Sequence, residues 1–195
     1  MTTTTELPSG YEATIYMELE KSRVLSRFIK IIQAVVAVIM FIIACLIIGT
    51  DGLTEMDEVA FHIVVMMLGM IGYSILHELV RGFMMRFFSG IKPIFRFSGP
   101  YAHAGCPAYF CKNHELVIQM LPIIVTVILS AVAMIKAPDA SWLWVFYLIL
   151  MVCAAGSVTD IYVIARMLKR PADILIQNVG STYVFFEKNQ NKGDR

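Results

Sequence analysis

Charge is what this sequence has least of. Aspartate, glutamate, lysine and arginine supply 16% of its 195 residues and apolar side chains 58%, against roughly 25% and 45–50% in soluble globular domains. That balance excludes an ordinary soluble domain and points to an integral membrane protein. Cysteine is sparse as well. Of four, Cys45 and Cys153 fall in apolar runs, while Cys106 and Cys111 fall in a loop expected on the cytosolic side. Thiols stay reduced there, so no disulfide framework is implied. There is no internal repeat, and four spans without one offer little for alternating access, which argues against a transporter. No small-residue cleavage pattern follows the first apolar run, so it is expected to be a span and not a signal peptide. No nucleic-acid partner is expected.

What the chain does have is apolar length. The runs 28–48, 59–88, 116–135 and 142–168 are each long enough for a helix to cross a hydrocarbon core of roughly 30 Å. The expected fold class is an all-α membrane protein of four transmembrane helices. It would comprise a cytosolic N-terminus (1–27), a four-span membrane domain (28–168) and a cytosolic tail (169–195). Lys21, Arg23, Arg27 and Lys30 precede the first span, and further basic residues fill 81–112 and 166–195, with Lys136 alone on the other side. By the positive-inside rule both termini are cytosolic, in a multi-pass protein of the cytoplasmic membrane whose first partner is the lipid bilayer.

Shorter features lie between the spans. The Thr-rich segment 1–10 is expected to be disordered. Apolar and charged residues mix over 11–27, which suggests an interfacial helix, an interaction helix being the alternative. Gly90, Pro93, Gly99, Pro100, Gly105 and Pro107 interrupt helix in 89–112, where alternation around Ile94 to Phe97 allows short strands. A second small hairpin is expected over 174–186, turning at 178–180.

The stretch with chemical content is Ser74 to Gly82, S-I-L-H-E-L-V-R-G. Histidine and glutamate are costly inside a membrane span, so His77 and Glu78 are functional candidates by default. His77 lies eighteen residues beyond Val59, and Asp160 lies eighteen beyond Trp142 on the fourth run. Both are therefore expected at roughly 27 Å depth. On a helix Arg81 shares a face with His77 and can reach Glu78. A guanidinium can bind two carboxylates at once, so Arg81 could pair with both Glu78 and Asp160. A second, weaker cluster is His103, Cys106, Cys111 and His114, spaced H-x2-C-x4-C-x2-H. All four are zinc-competent, but the middle spacing is tighter than common zinc modules use, and ordinary loop residues are the alternative.

The H-E-x-x-x-G helix, the Pro/Gly-rich loop with Y-A-H, the span opening on L-P and the later G-S-x-x-D together resemble a bacterial family of zincin peptidases. These are membrane proteins of unknown physiological role, similar in layout to site-2 proteases. The resemblance implies an intramembrane zinc hydrolase acting on a membrane-associated peptide or protein. His77 and Asp160 would be metal ligands and Glu78 the general base. Arg81 stands where the second ligand histidine of H-E-x-x-H belongs, and a guanidinium has no lone pair to offer. The zinc site is thus incomplete, with His103 as the candidate third ligand. Three outcomes stay open: a degenerate peptidase, an active enzyme rescued by His103, or a non-catalytic membrane scaffold or accessory subunit. In the last, His77, Glu78, Arg81 and Asp160 would form a buried ion-pair network.

Overall fold

The computed structural model describes residues 3–19, 22–54, 58–98, 101–180 and 182–189. In chain order the elements are β1 (Tyr11–Glu18), α1 (Arg23–Ile47), the single turn α2 (Asp51–Thr54), α3 (Val59–Ser89), β2 (Ile94–Ser98), β3 (Tyr101–Cys111), α4 (Lys112–Ile135), α5 (Ala140–Leu168), β4 (Leu175–Val179) and β5 (Thr182–Lys188). Helices α1, α3, α4 and α5 are all long and apolar enough to cross a membrane. Their apolar side chains are largely uncovered, as at Val38, Leu68 and Ile128. Soluble monomers rarely expose apolar patches of that extent.

Two compact units emerge, and α1, α3, α4 and α5 contribute residues to both. The first comprises 27–77 and 123–159 and is helical. Trp144 is completely buried, and its indole N–H donates to the Gly49 carbonyl at 3.1 Å. The Tyr147 hydroxyl donates to the Met40 carbonyl at 2.9 Å and that of Tyr73 to the Cys153 carbonyl at 3.3 Å. Each aromatic ring is thus held by its polar tip. A Cβ on Gly69 would stand 2.5 Å from Ile149 Cδ1; the missing side chain is what lets these two helices approach.

The second unit comprises Met1–Ser26, Glu78–Pro122 and Asp160–Arg195. At its centre is a five-stranded antiparallel sheet in the order β1-β5-β4-β3-β2. The two expected hairpins are therefore parts of one sheet, and the fold is more than helices. Met17, Ile174, Ile176, Tyr183 and Phe185 pack with Val163 and Met167 of α5. Ala104, Cys106, Ala108 and Phe110 of β3 pack with Met85 of α3 and Ile118 of α4. Tyr11, Leu175, Val184 and Phe186 form a third cluster, with Leu7 and Tyr109 against it.

Strand β1 corrects the interfacial helix expected over 11–27. Ile15 and Met17 alternate with Tyr16 and Glu18, a period of two, and β1 pairs with β5 from Tyr11↔Lys188 to Glu18↔Thr182. That partner lies at the far end of the chain, so the strand had no local signal. Segment 1–10 is likewise not the loose tail expected. Thr4 exchanges backbone hydrogen bonds with Tyr109 at 3.0 and 2.9 Å, and Leu7 joins the third cluster; Met1 and Thr2 lie outside the described residues.

Gly105 sits opposite Ile94 of β2 and Val179 of β4. A Cβ there would meet Gly180 N at 2.7 Å and Val179 C at 3.0 Å, both backbone atoms that cannot swing aside. Gly105→Ala is expected to destabilise the protein by about 1–3 kcal/mol, as overpacked sites do. Unfolding of the purified protein in detergent measures this. Gly72→Ala, where nothing lies within 4 Å, should cause no loss.

Candidate site: an arginine between two buried carboxylates

Glu78 and Arg81 are one helical turn apart on α3, so their side chains leave the same face. The Arg81 guanidinium donates from Nη1 to Glu78 Oε1 at 3.0 Å and from Nη2 to Asp160 Oδ1 on α5. The second Glu78 oxygen accepts the Ala104 backbone N–H at 2.6 Å. This donor is available because the β3–β4 register stops at Gly105↔Val179, one residue short of Ala104. Exposure decides what the pairing is worth: Glu78, Arg81 and Asp160 are 7%, 5% and 6% exposed. At that depth an unpaired ion costs several kcal/mol, so each partner makes the others tolerable. Charge-assisted bonds of this kind are also roughly twice as strong as neutral ones.

The other expected ligands are placed differently. In the helical unit, His77 is buried and its ring packs at 5.5 Å from that of Tyr73. His103 follows strand alternation. Its neighbour Ala104 is buried against the helix residues Met85 and Ile118, so β3 turns His103 to the opposite face, across from Arg96 and beside Gly180. Strand alternation thus places His103 on the face of β3 opposite Ala104, whose N–H bonds Glu78.

The second cluster does not converge either. Cys106 is buried in the β3 core, 3.6 Å from Ser89 Oγ, and Cys111 is buried at the end of β3, opposite Leu175. His114 stacks on Phe88 at 4.1 Å, and its Nδ1 lies 2.8 Å from Thr3 Oγ1. A strand sends successive side chains to opposite faces and α4 begins straight after it, so close spacing in sequence does not bring these four together. Among the described residues, no group of three or more His, Cys, Asp or Glu side chains is arranged to hold a metal.

A second polar cluster, none of whose residues was expected to be functional, lies in the same unit. Glu115, Gln119 and Asn178 are wholly buried and Tyr183 almost so. Gln119 Nε2 and Asn178 Nδ2 both donate to Glu115 Oε1 at 2.8 Å, and Gln119 Nε2 also donates to the Tyr183 oxygen at 3.0 Å. Burial pushes the Tyr183 hydroxyl above the ordinary tyrosine range, so it stays a neutral phenol. A signal was available: Glu115 and Gln119 are four residues apart in an apolar run, the spacing of one buried polar face on a helix.

Comparison with protein families matches residues 69–175, more than half of the chain, to the family described as "Putative zincin peptidase". The chain belongs to that family. Comparison with curated proteins and with solved structures gives no match. The matched segment takes in His77, Glu78, Arg81, His103 and Asp160. Zinc, which a zincin family implies, does not fit the donors found here. Both Glu78 oxygens and Oδ1 of Asp160 already accept N–H groups. Arg81, bonded to both carboxylates, has no lone pair to offer and carries a permanent positive charge, which would repel a dication.

Proposed function

We propose that this protein is a degenerate zincin of the cytoplasmic membrane, in which Arg81 takes the place of the metal's charge and peptide hydrolysis has been lost. It would serve as a non-catalytic scaffold or accessory subunit for a membrane-associated peptide or protein, with both termini in the cytosol. One observation carries this reading: a single guanidinium bonds the carboxylates of both Glu78 and Asp160. A general base must be free to take a proton from water. Glu78 instead spends one oxygen on Arg81 and the other on the Ala104 amide.

Metal analysis of protein purified without chelator tests the proposal. Zinc well below one ion per chain is expected, unchanged in His77→Ala. Stoichiometric zinc that disappears in His77→Ala would overturn the reading, as would chelator-sensitive cleavage of a membrane substrate that depends on Glu78.

A further inference from the structure

At the C-terminal end of α5, Arg166, Lys169 and Arg170 stand with Ile15, Met17 and Phe185 around a cavity of about 300 Å³, at the lower end of the range for small-ligand sites. Three cations on one wall and three apolar side chains on the other define its chemistry. The neighbouring groups leave much of that positive charge unspent. Arg170 makes a 3.4 Å ion pair with Glu187 at the surface, and the Arg166 guanidinium lies 5.7 Å from the Tyr162 ring. Lys169 makes no ion pair among the described residues.

A helix C-terminus ordinarily repels anions through its free carbonyls. Here Lys112 caps them, its Nζ donating to the Leu168 carbonyl at 3.3 Å and the Arg170 carbonyl at 2.6 Å. A fourth cation thus offsets the negative end of the helix while Arg166 and Lys169 remain for a ligand. Ile161 and Leu168, seven residues apart on α5, are 54% and 59% exposed. The cavity thus lies at the end of a helix long and apolar enough to cross a membrane, the level at which lipid headgroups sit.

We infer that this cavity binds the phosphate of an anionic phospholipid headgroup. Arg166 and Lys169 hold the phosphate oxygens, and Ile15, Met17 and Phe185 line the glycerol end. The site is independent of the Arg81 cluster and of the loss of hydrolysis.

Full-length protein in a neutral detergent is titrated with phosphatidylglycerol, phosphatidylcholine and glycerol 3-phosphate, and bound ligand is counted by native mass spectrometry. One tightly held phosphatidylglycerol per chain is expected. Its affinity should fall about five-fold in Lys169→Ala and about twenty-five-fold when Arg166→Gln is added, following the scale of one basic residue at an anionic surface. Lys188→Ala removes an exposed charge outside the cavity and should change nothing. Equal loss in Lys188→Ala would reduce the effect to diffuse surface charge and overturn the site. Equal binding of phosphatidylcholine would remove the preference for an anionic lipid. Glycerol 3-phosphate binding as tightly as phosphatidylglycerol would make this a site for soluble phosphate and overturn the lipid assignment.

Discussion

Replacing Arg81 by methionine is expected to destabilise the protein by about 3–5 kcal/mol, the cost of leaving a buried charge without its partner. In a chain of this size that lowers the unfolding midpoint by on the order of 10 °C. The loss has two sources, since Arg81 bonds both Glu78 and Asp160 and all three are nearly inaccessible to water. Methionine fills a similar volume but leaves two carboxylates facing each other. The decisive comparison is the triple variant Arg81→Met, Glu78→Gln, Asp160→Asn. Removing all the charges together removes the reason for the penalty, so stability should return to near the wild-type value, as when buried ionic groups are replaced as a set. Circular dichroism and thermal unfolding in detergent measure both. A triple variant as unstable as the single one would show that Arg81 acts through packing and not through charge.

The same residues show what could be read without a structure. That Glu78 and Arg81 share a helix face follows from three residues of helical spacing, and the four helices follow from apolar runs that nothing else could bury. The Ala104 amide on Glu78 could not be read. It depends on the register of β3 and β4 ending at Gly105↔Val179, and no pattern of residue types records where a ladder stops. Strand β1 was hidden for a related reason: its partner is β5, at the other end of the chain. A mixed segment such as 11–18 shows its period of two only weakly until that pairing is known. The spacing of His103, Cys106, Cys111 and His114 misled in the opposite direction, because proximity in sequence is not convergence when a strand runs through it.

Glu115 offers the second large effect, and its sign depends on the substitution. Its Oε1 accepts N–H groups from both Gln119 and Asn178, yet Glu115 Oε2, Gln119 Oε1 and Asn178 Oδ1 are buried with no partner among the described residues. The cluster therefore has more acceptors than donors. Among the described residues, the unit around it also buries three carboxylates, Glu78, Glu115 and Asp160, against the single guanidinium of Arg81. Glu115→Ala strands both amide donors and opens a cavity, so a loss of about 3–5 kcal/mol is expected. Glu115→Gln keeps the shape, retains one accepting oxygen for the two N–H groups, and supplies an NH₂ where acceptors lack donors. It should be neutral or stabilising by about 1 kcal/mol, the net value of a hydrogen bond gained. Unfolding of the two variants side by side distinguishes a cluster short of donors from one that needs its charge. If Glu115→Gln fell as far as Glu115→Ala, the carboxylate would be required as an anion, and the positive field of Arg81 would be the reason it is kept.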